Sequence, residues 1–209
     1  NISEDVECLQ RKKKLPKYLS IEEVDNLLDI ELNTPFDHRN KAILELMYST
    51  GLRASELINL ELNNVDTLNM VVHVYGKGSK ERIVPMSKIA VNYLDMYINN
   101  YREDLFVKGK PKTDALFLNN HGTKMTRQGL YKIIGKIAHE KNINKEITPH
   151  VLRHSFATHM IECGADIRSV QELLGHENVV TTEIYTHLAN NFIKDNYNEY
   201  FNRSKKEGN

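Results

Sequence analysis

The sequence predicts a mainly α-helical domain carrying one small antiparallel β-sheet, an α+β class. Two observations predict it. Apolar residues recur at helical spacing in several stretches, each opened by a Ser, Thr or Asp cap, and several of these are closed by glycine. Only one place shows a clear strand signal, where the β-branched runs "MVVHVY" and "ERIVPM" flank the polar turn "GKGSK". The composition allows such a domain: 209 residues, 40% hydrophobic and 27% charged, are enough for one or two cores.

Taken in order, "ISEDVECLQRKKKLP" is a polar linker. In "LSIEEV", Ser20 is the N-cap and Glu23 the third helical residue, with Leu19 and Val24 as the hydrophobic staple. A second helix is expected over about residues 37–49, with Ala42, Ile43, Leu46 and Met47 on one stripe and Gly51 past its end. "LRASELINL" restarts a short helix at once. The hairpin follows, then "SKIAVNYLDMYINNY" as helix and "ALFLN" as a candidate third strand. "TRQGLYKIIGKIAHEKN" is helical with Thr126 as cap. "TPHVLRHSFATHMIEC" has Thr148 at the N-cap, Pro149 at the first helical position and Gly164 as the stop. "DIRSVQELLGH" repeats that pattern from Asp166 to Gly175.

Charge and cysteine content narrow the function classes. Lys plus Arg and Asp plus Glu each number 28, so bulk charge does not hold this chain on nucleic acid, although a local basic face can. Cys8 and Cys163 are too few for a disulfide framework or a structural zinc site, which points to a reducing, cytoplasmic setting. No apolar run reaches the ~18 residues a membrane span needs, and no signal peptide opens the sequence.

The residues with chemistry to offer cluster late in the chain. His150 and Arg153 are one turn apart and share a helix face. A guanidinium binds two phosphate oxygens at once, and an imidazole donates to or accepts from a third group. His150 and His154 have a metal-compatible spacing, but Val151 stands where a zincin has Glu, so His154 and His159 are read as packed or capping residues. His176 follows the helix-ending Gly175, and Tyr185 lies nine residues further on. Earlier, Arg53 sits at a glycine-punctuated break and needs an anion or a carboxylate such as Glu56. Lys77 lies in the hairpin turn with Lys80 and Arg82 near it. That turn is either a solvated basic loop or a finger that reaches into a DNA groove or onto a phosphate.

Together these segments resemble the catalytic domain of the tyrosine recombinases, the lambda-integrase-like family, and most of all the Xer recombinases. "TGLRASEL" is similar to the family's first arginine box and "YGKGSKERIVP" to its catalytic-lysine hairpin. "TPHVLRHSFATHMIECGADIRSVQELLGHENVVTTEIYTH" is similar to its second box. The likeness runs from "LPKYLSIEEV" to "YTHLANN", and Arg53, Lys77, His150, Arg153, His176 and Tyr185 each have the residue type the family uses.

The resemblance implies the tyrosine recombinase catalytic-domain fold over residues 18–187, a linker from a preceding core-binding domain over 1–17, and a tail over 188–209. In that tail Leu188, Phe192, Ile193, Tyr197, Tyr200 and Phe201 have roughly helical spacing, and the family's equivalent docks into a neighbouring protomer. It also implies site-specific DNA recombination through a 3′-phosphotyrosyl intermediate and a Holliday junction. Tyr185 is then the nucleophile, Arg53, Arg153 and His176 hold the phosphate, His150 assists proton removal and Lys77 protonates the leaving oxygen. No metal and no cofactor is implied. The implied partners are double-stranded DNA, a homo- or hetero-tetramer and, in chromosome dimer resolution, a DNA translocase. The rival readings are an integrase of a phage or conjugative element, a type IB topoisomerase and a catalytically inactive DNA-binding module.

Overall fold

Among the described residues, every α-helix but the one that Arg53 opens begins at a residue whose side chain satisfies an otherwise orphaned backbone N–H. The structure is a computed structural model describing residues 18–76 and 81–175. Helix α1 (Ile21–Leu28) opens with a complete capping box: Glu23 N donates to Ser20 Oγ at 3.2 Å and Ser20 N donates to Glu23 at 2.8 Å. Leu19 and Val24 are both fully buried, as the staple requires. Helix α2 (Pro35–Thr50) starts two residues before the expected position, because Thr34 caps it and Pro35 occupies its first turn.

Helix α2 departs from the single apolar stripe the sequence suggests. Every residue from His38 to Thr50 except Asn40 is buried, since α4 (Lys88–Met96) and α6 (Pro149–Glu162) both pack on it. Its polar side chains are therefore paired inside, apart from His38, which stacks on the Tyr101 ring and leaves its Nδ1 without a hydrogen bond. Lys41 forms an ion pair with Glu45 at 3.0 Å and donates to the Leu28 carbonyl. Thr50 Oγ1 donates to the Leu46 carbonyl at 2.5 Å. Burying so many polar groups is tolerable only because each of these meets a partner.

The sheet has three antiparallel strands in the order β1 (Val65–Asp66), β2 (Val71–Tyr75), β3 (Glu81–Pro85). Val72 pairs with Val84 and His73 with Ile83, which turns Val72, Val74 and Val84 into the core. The expected strand at 115–119 is not one. Ala115 and Leu118 make only isolated bridges, and the third strand is the short β1. The reason is competition for the carbonyls: Arg102 donates to those of Thr113 (2.7 Å), Ala115 (2.6 Å) and Leu116 (3.2 Å), and Arg39 donates to that of Leu118 (2.8 Å). Guanidinium groups stand where a neighbouring strand would.

The remaining helices follow the sequence closely. Thr126 caps α5 (Arg127–Glu140), Thr148 caps α6 with Pro149 in its first turn, and Asp166 caps α7 (Ile167–Leu173). Gly164 and Gly175 have φ of +91° and +67°, so glycine ends both helices where the backbone turns left-handed. Helix α6 is tied to the start of the domain, where Leu19 N donates to the buried Ser155 Oγ at 2.9 Å.

Candidate active site

Gly51 builds the first part of the site. It ends α2 with φ +60°, and a Cβ there would lie 2.5 Å from Phe156 Cδ1 and 2.8 Å from Leu174 Cδ2. Only glycine lets the chain turn against α6 and present Arg53 as the N-cap of α3 (Ala54–Asn59). Glu56, one turn into α3, accepts from Arg53 N at 2.8 Å and from Arg53 Nη1 at 2.9 Å. The same carboxylate takes a bidentate pair from Arg82 on β3, Nη1 at 2.8 Å and Nη2 at 2.9 Å.

Three arginines from three elements then converge on the end of α7. Arg82 Nε donates to the Leu173 carbonyl at 3.1 Å, Arg153 Nη2 to Leu174 at 2.6 Å and Arg53 Nη2 to Gly175 at 3.1 Å. Arg153 Nη1 also donates to the Gly51 carbonyl at 2.6 Å. A helix C-terminus leaves carbonyls unpaired and carries partial negative charge, so it is a natural place to hold guanidinium groups. Consecutive carbonyls 173, 174 and 175 thus fix the three arginines in a row.

The electrostatics are unbalanced in favour of an anion. Arg53 and Arg82 share the Glu56 carboxylate while Arg153 binds only carbonyls, so among the described residues of the site three guanidinium groups face one carboxylate, two positive charges in excess. Burial by itself would raise the Glu56 carboxyl, but Arg82 and then Arg53 outweigh it and hold Glu56 below the ordinary range. Burial, and next the neighbouring Arg53 charge, push Arg153 down to about 10. Arg153 therefore stays cationic at neutral pH while being poorly compensated, which favours any added negative charge.

His150 is exposed in the first turn of α6, one turn before Arg153 on the same face. His159 is buried, with Tyr48 Oη 2.9 Å from its Nδ1, and exposed His154 meets the Tyr18 ring edge-on, so both are packing residues as expected. Lys77, His176 and Tyr185 lie outside the described residues, as do 1–17 and the C-terminal segment 188–209. In sequence, His176 directly follows the Gly175 carbonyl that Arg53 holds. Arg82, expected as part of a basic turn, is instead a buried-facing partner of Glu56, its side chain 10% exposed. Alternation would have found it: Ile83 pairs with His73, and Arg82 faces away from that side toward α3 and α7.

Comparison with known proteins identifies the family. The phage integrase family profile matches residues 17–191. The chain is 50% identical over 199 residues to the tyrosine recombinase XerD of Oceanobacillus iheyensis, covering 95% of this chain and 67% of that protein. It is 47% identical over 200 residues to XerD of Staphylococcus haemolyticus, again covering 95% and 67%. Among solved structures, the XerA recombinase crystal structure aligns with a TM-score of 0.67 and 34% identity, covering 90% of this chain and 66% of that one. The XerH recombinase bound to its difH substrate before cleavage aligns with a TM-score of 0.67 and 30% identity, covering 86% and 54%. The chain spans about two thirds of the length of the curated relatives it matches. With its arginine-lined helix end and these relatives, the chain belongs to the phage integrase family, among the tyrosine recombinases of the Xer kind.

Proposed function

We propose that this chain is the catalytic part of an Xer-type site-specific recombinase that cleaves and rejoins double-stranded DNA. The observation that carries the proposal is the convergence of Arg53 and Arg153 on adjacent carbonyls at the end of α7, with two positive charges in excess. Phosphoryl transfer builds negative charge on the non-bridging oxygens, and preorganised cationic donors stabilise that charge more than they stabilise the bound diester.

In this reading the Tyr185 oxygen attacks the scissile phosphorus, forming a P–O bond to tyrosine and breaking the bond to the 5′-oxygen. The phenol has a free pKa near ~10, so its proton must be drawn off, a task for His150. Lys77 gives a proton to the departing 5′-oxygen, and the balance is a 3′-phosphotyrosyl bond plus a free 5′-hydroxyl. Arg53, Arg153 and His176 hold the non-bridging oxygens. The bond energy stays in the phosphotyrosine, so the reverse attack by a 5′-hydroxyl reseals a strand. Two pairs of such exchanges, in a tetramer on DNA, pass through a Holliday junction. Residues 1–17 are then the linker from a core-binding domain, 18–187 the catalytic domain and 188–209 a tail that docks on a neighbouring protomer. The XerD relatives favour chromosome dimer resolution over integration of a mobile element.

A nicked suicide substrate tests the reading. Wild type should form a covalent adduct on a denaturing gel, and Tyr185→Phe should form none while binding the DNA equally well. An adduct on the Phe variant would move the nucleophile elsewhere. No adduct from the intact wild-type protein on its own site would favour an inactive DNA-binding module.

A further inference from the structure

The proposal below rests on the recombinase reading and concerns a residue outside its six. Arg82 differs from the two other arginines at the end of α7. All its nitrogens are spent inside the protein: Nε on the Leu173 carbonyl, Nη1 and Nη2 on the two Glu56 oxygens. Its side chain is 10% exposed, against 38% for Arg53. Space around it is closed too, since a Cβ on Gly175 would meet its guanidinium carbon at 3.2 Å. Three bonds and this enclosure commit the guanidinium to the protein rather than to DNA.

We propose that Arg82 is a positioning residue that sets Arg53 through their shared Glu56 carboxylate and locks the β2–β3 hairpin to the end of α7. Three links support this. Glu56 is held on both oxygens by Arg82, and from that fixed place it directs Arg53 through its backbone N–H and Nη1. The Leu173 bond registers β3 against the helix end that receives Arg53 and Arg153 at the next two carbonyls. Arg82 is also the second residue of β3, the strand that follows the connection containing Lys77. A lysine at position 82 would keep the charge but cannot reproduce a planar fork with a third donor.

The test compares two substrates for phosphotyrosyl formation by the intact protein. One carries the natural diester at the scissile position, the other a methylphosphonate, which lacks one ionised oxygen and so makes less demand on a correctly placed Arg53. Arg82→Lys should slow cleavage of the diester on the order of 10–100-fold, the scale of a small misplacement of a catalytic group. On the methylphosphonate the loss should shrink to roughly threefold or less, with DNA binding close to wild type. Arg82→Gln, which can still donate to Glu56 but cannot span both its oxygens and the Leu173 carbonyl, should show the same substrate-dependent loss and covers the case in which Arg82→Lys does not fold. Equal losses on both substrates would mean a merely structural role and overturn the proposal, as would an Arg82→Lys protein as fast as wild type. If wild type itself forms no adduct on either substrate, the recombinase reading fails and takes this proposal with it.

Discussion

Two regions of this molecule use the same bond, an arginine donating to backbone carbonyls, for opposite ends. Around residues 113–118, Arg102 and Arg39 cap four carbonyls and are themselves 4% and 5% exposed. At the end of α7, Arg53 and Arg153 cap carbonyls in the same way, but both are only half-buried and stand beside an excess of positive charge. A sealed guanidinium can hold only the chain that surrounds it. A half-open one can exchange a carbonyl for a phosphate oxygen, which is a stronger acceptor. In the proposed reading, exposure, rather than the residue type or its partners, separates the structural arginines from those that would hold phosphate, and Arg82 belongs with the sealed group although it stands among the latter.

The largest expected effects test that division directly. Arg153→Gln should reduce phosphotyrosyl formation about 10²–10³-fold, the usual result of removing one transition-state donor, while the melting temperature changes little. Arg102→Met should do the reverse. It strands the carbonyls of Thr113, Ala115 and Leu116, and should cost about 3–5 kcal/mol of stability. Cleavage per folded molecule should stay near wild type. Thermal melts and single-turnover cleavage on both variants make the comparison. An Arg102 variant that folds well but cleaves poorly would break it.

A second, smaller effect concerns the joint between the regions. Gly51→Ala adds a Cβ 2.5 Å from the Phe156 ring at a residue with φ +60°, which should cost about 2–4 kcal/mol from strain and overpacking together. The lost stability should appear with a lost rate, because the Gly51 carbonyl also holds Arg153 at 2.6 Å. Urea melts and cleavage rates at a temperature where the variant is folded would separate the two losses, and a normal rate would show that Arg153 does not need this carbonyl.

How much of this could be read beforehand follows from how local each signal is. Caps are local: Ser20, Thr126, Thr148 and Asp166 all open the helices their neighbours imply. The glycine stops Gly51, Gly164 and Gly175 are local too. The strand at 115–119 failed because its carbonyls are taken by Arg102 and Arg39, of which Arg39 lies 79 positions away from Leu118, a distance no window of sequence reports. The burial of Lys41 and Glu45 on α2 is hidden for the same reason, since only packing from both sides calls for it. In the site, Glu56 was visible as a partner for Arg53 three residues away. Arg82 reaches Glu56 across 26 residues and Leu173 across 91, and its setting in "GSKER" suggested solvent instead.

The smallest expected effect is a response to acid that the two regions should not share. The α7 end depends on a carboxylate, whereas the donors of Arg102 end on carbonyls, which do not titrate. The Arg82 and Arg53 bonds outweigh burial and lower the folded-state pKa of Glu56 from its ordinary 4.5. A depressed acid pKa contributes stability that is fully present above 4.5 and is lost as the pH falls through the lower folded value. Protonation then leaves Arg53 and Arg82 without a counter-charge, and the end of α7 should loosen first. Hydrogen exchange of the α7 amides, corrected for the intrinsic pH dependence of exchange, should therefore lose protection below about pH 4.5 while the amides of Leu116 and Leu118 keep theirs. In Glu56→Gln the α7 amides should be less protected at neutral pH and should no longer respond to acid. A parallel loss in both regions would mean that acid unfolds the domain as a whole, and that the carboxylate at Glu56 does not set the α7 end apart.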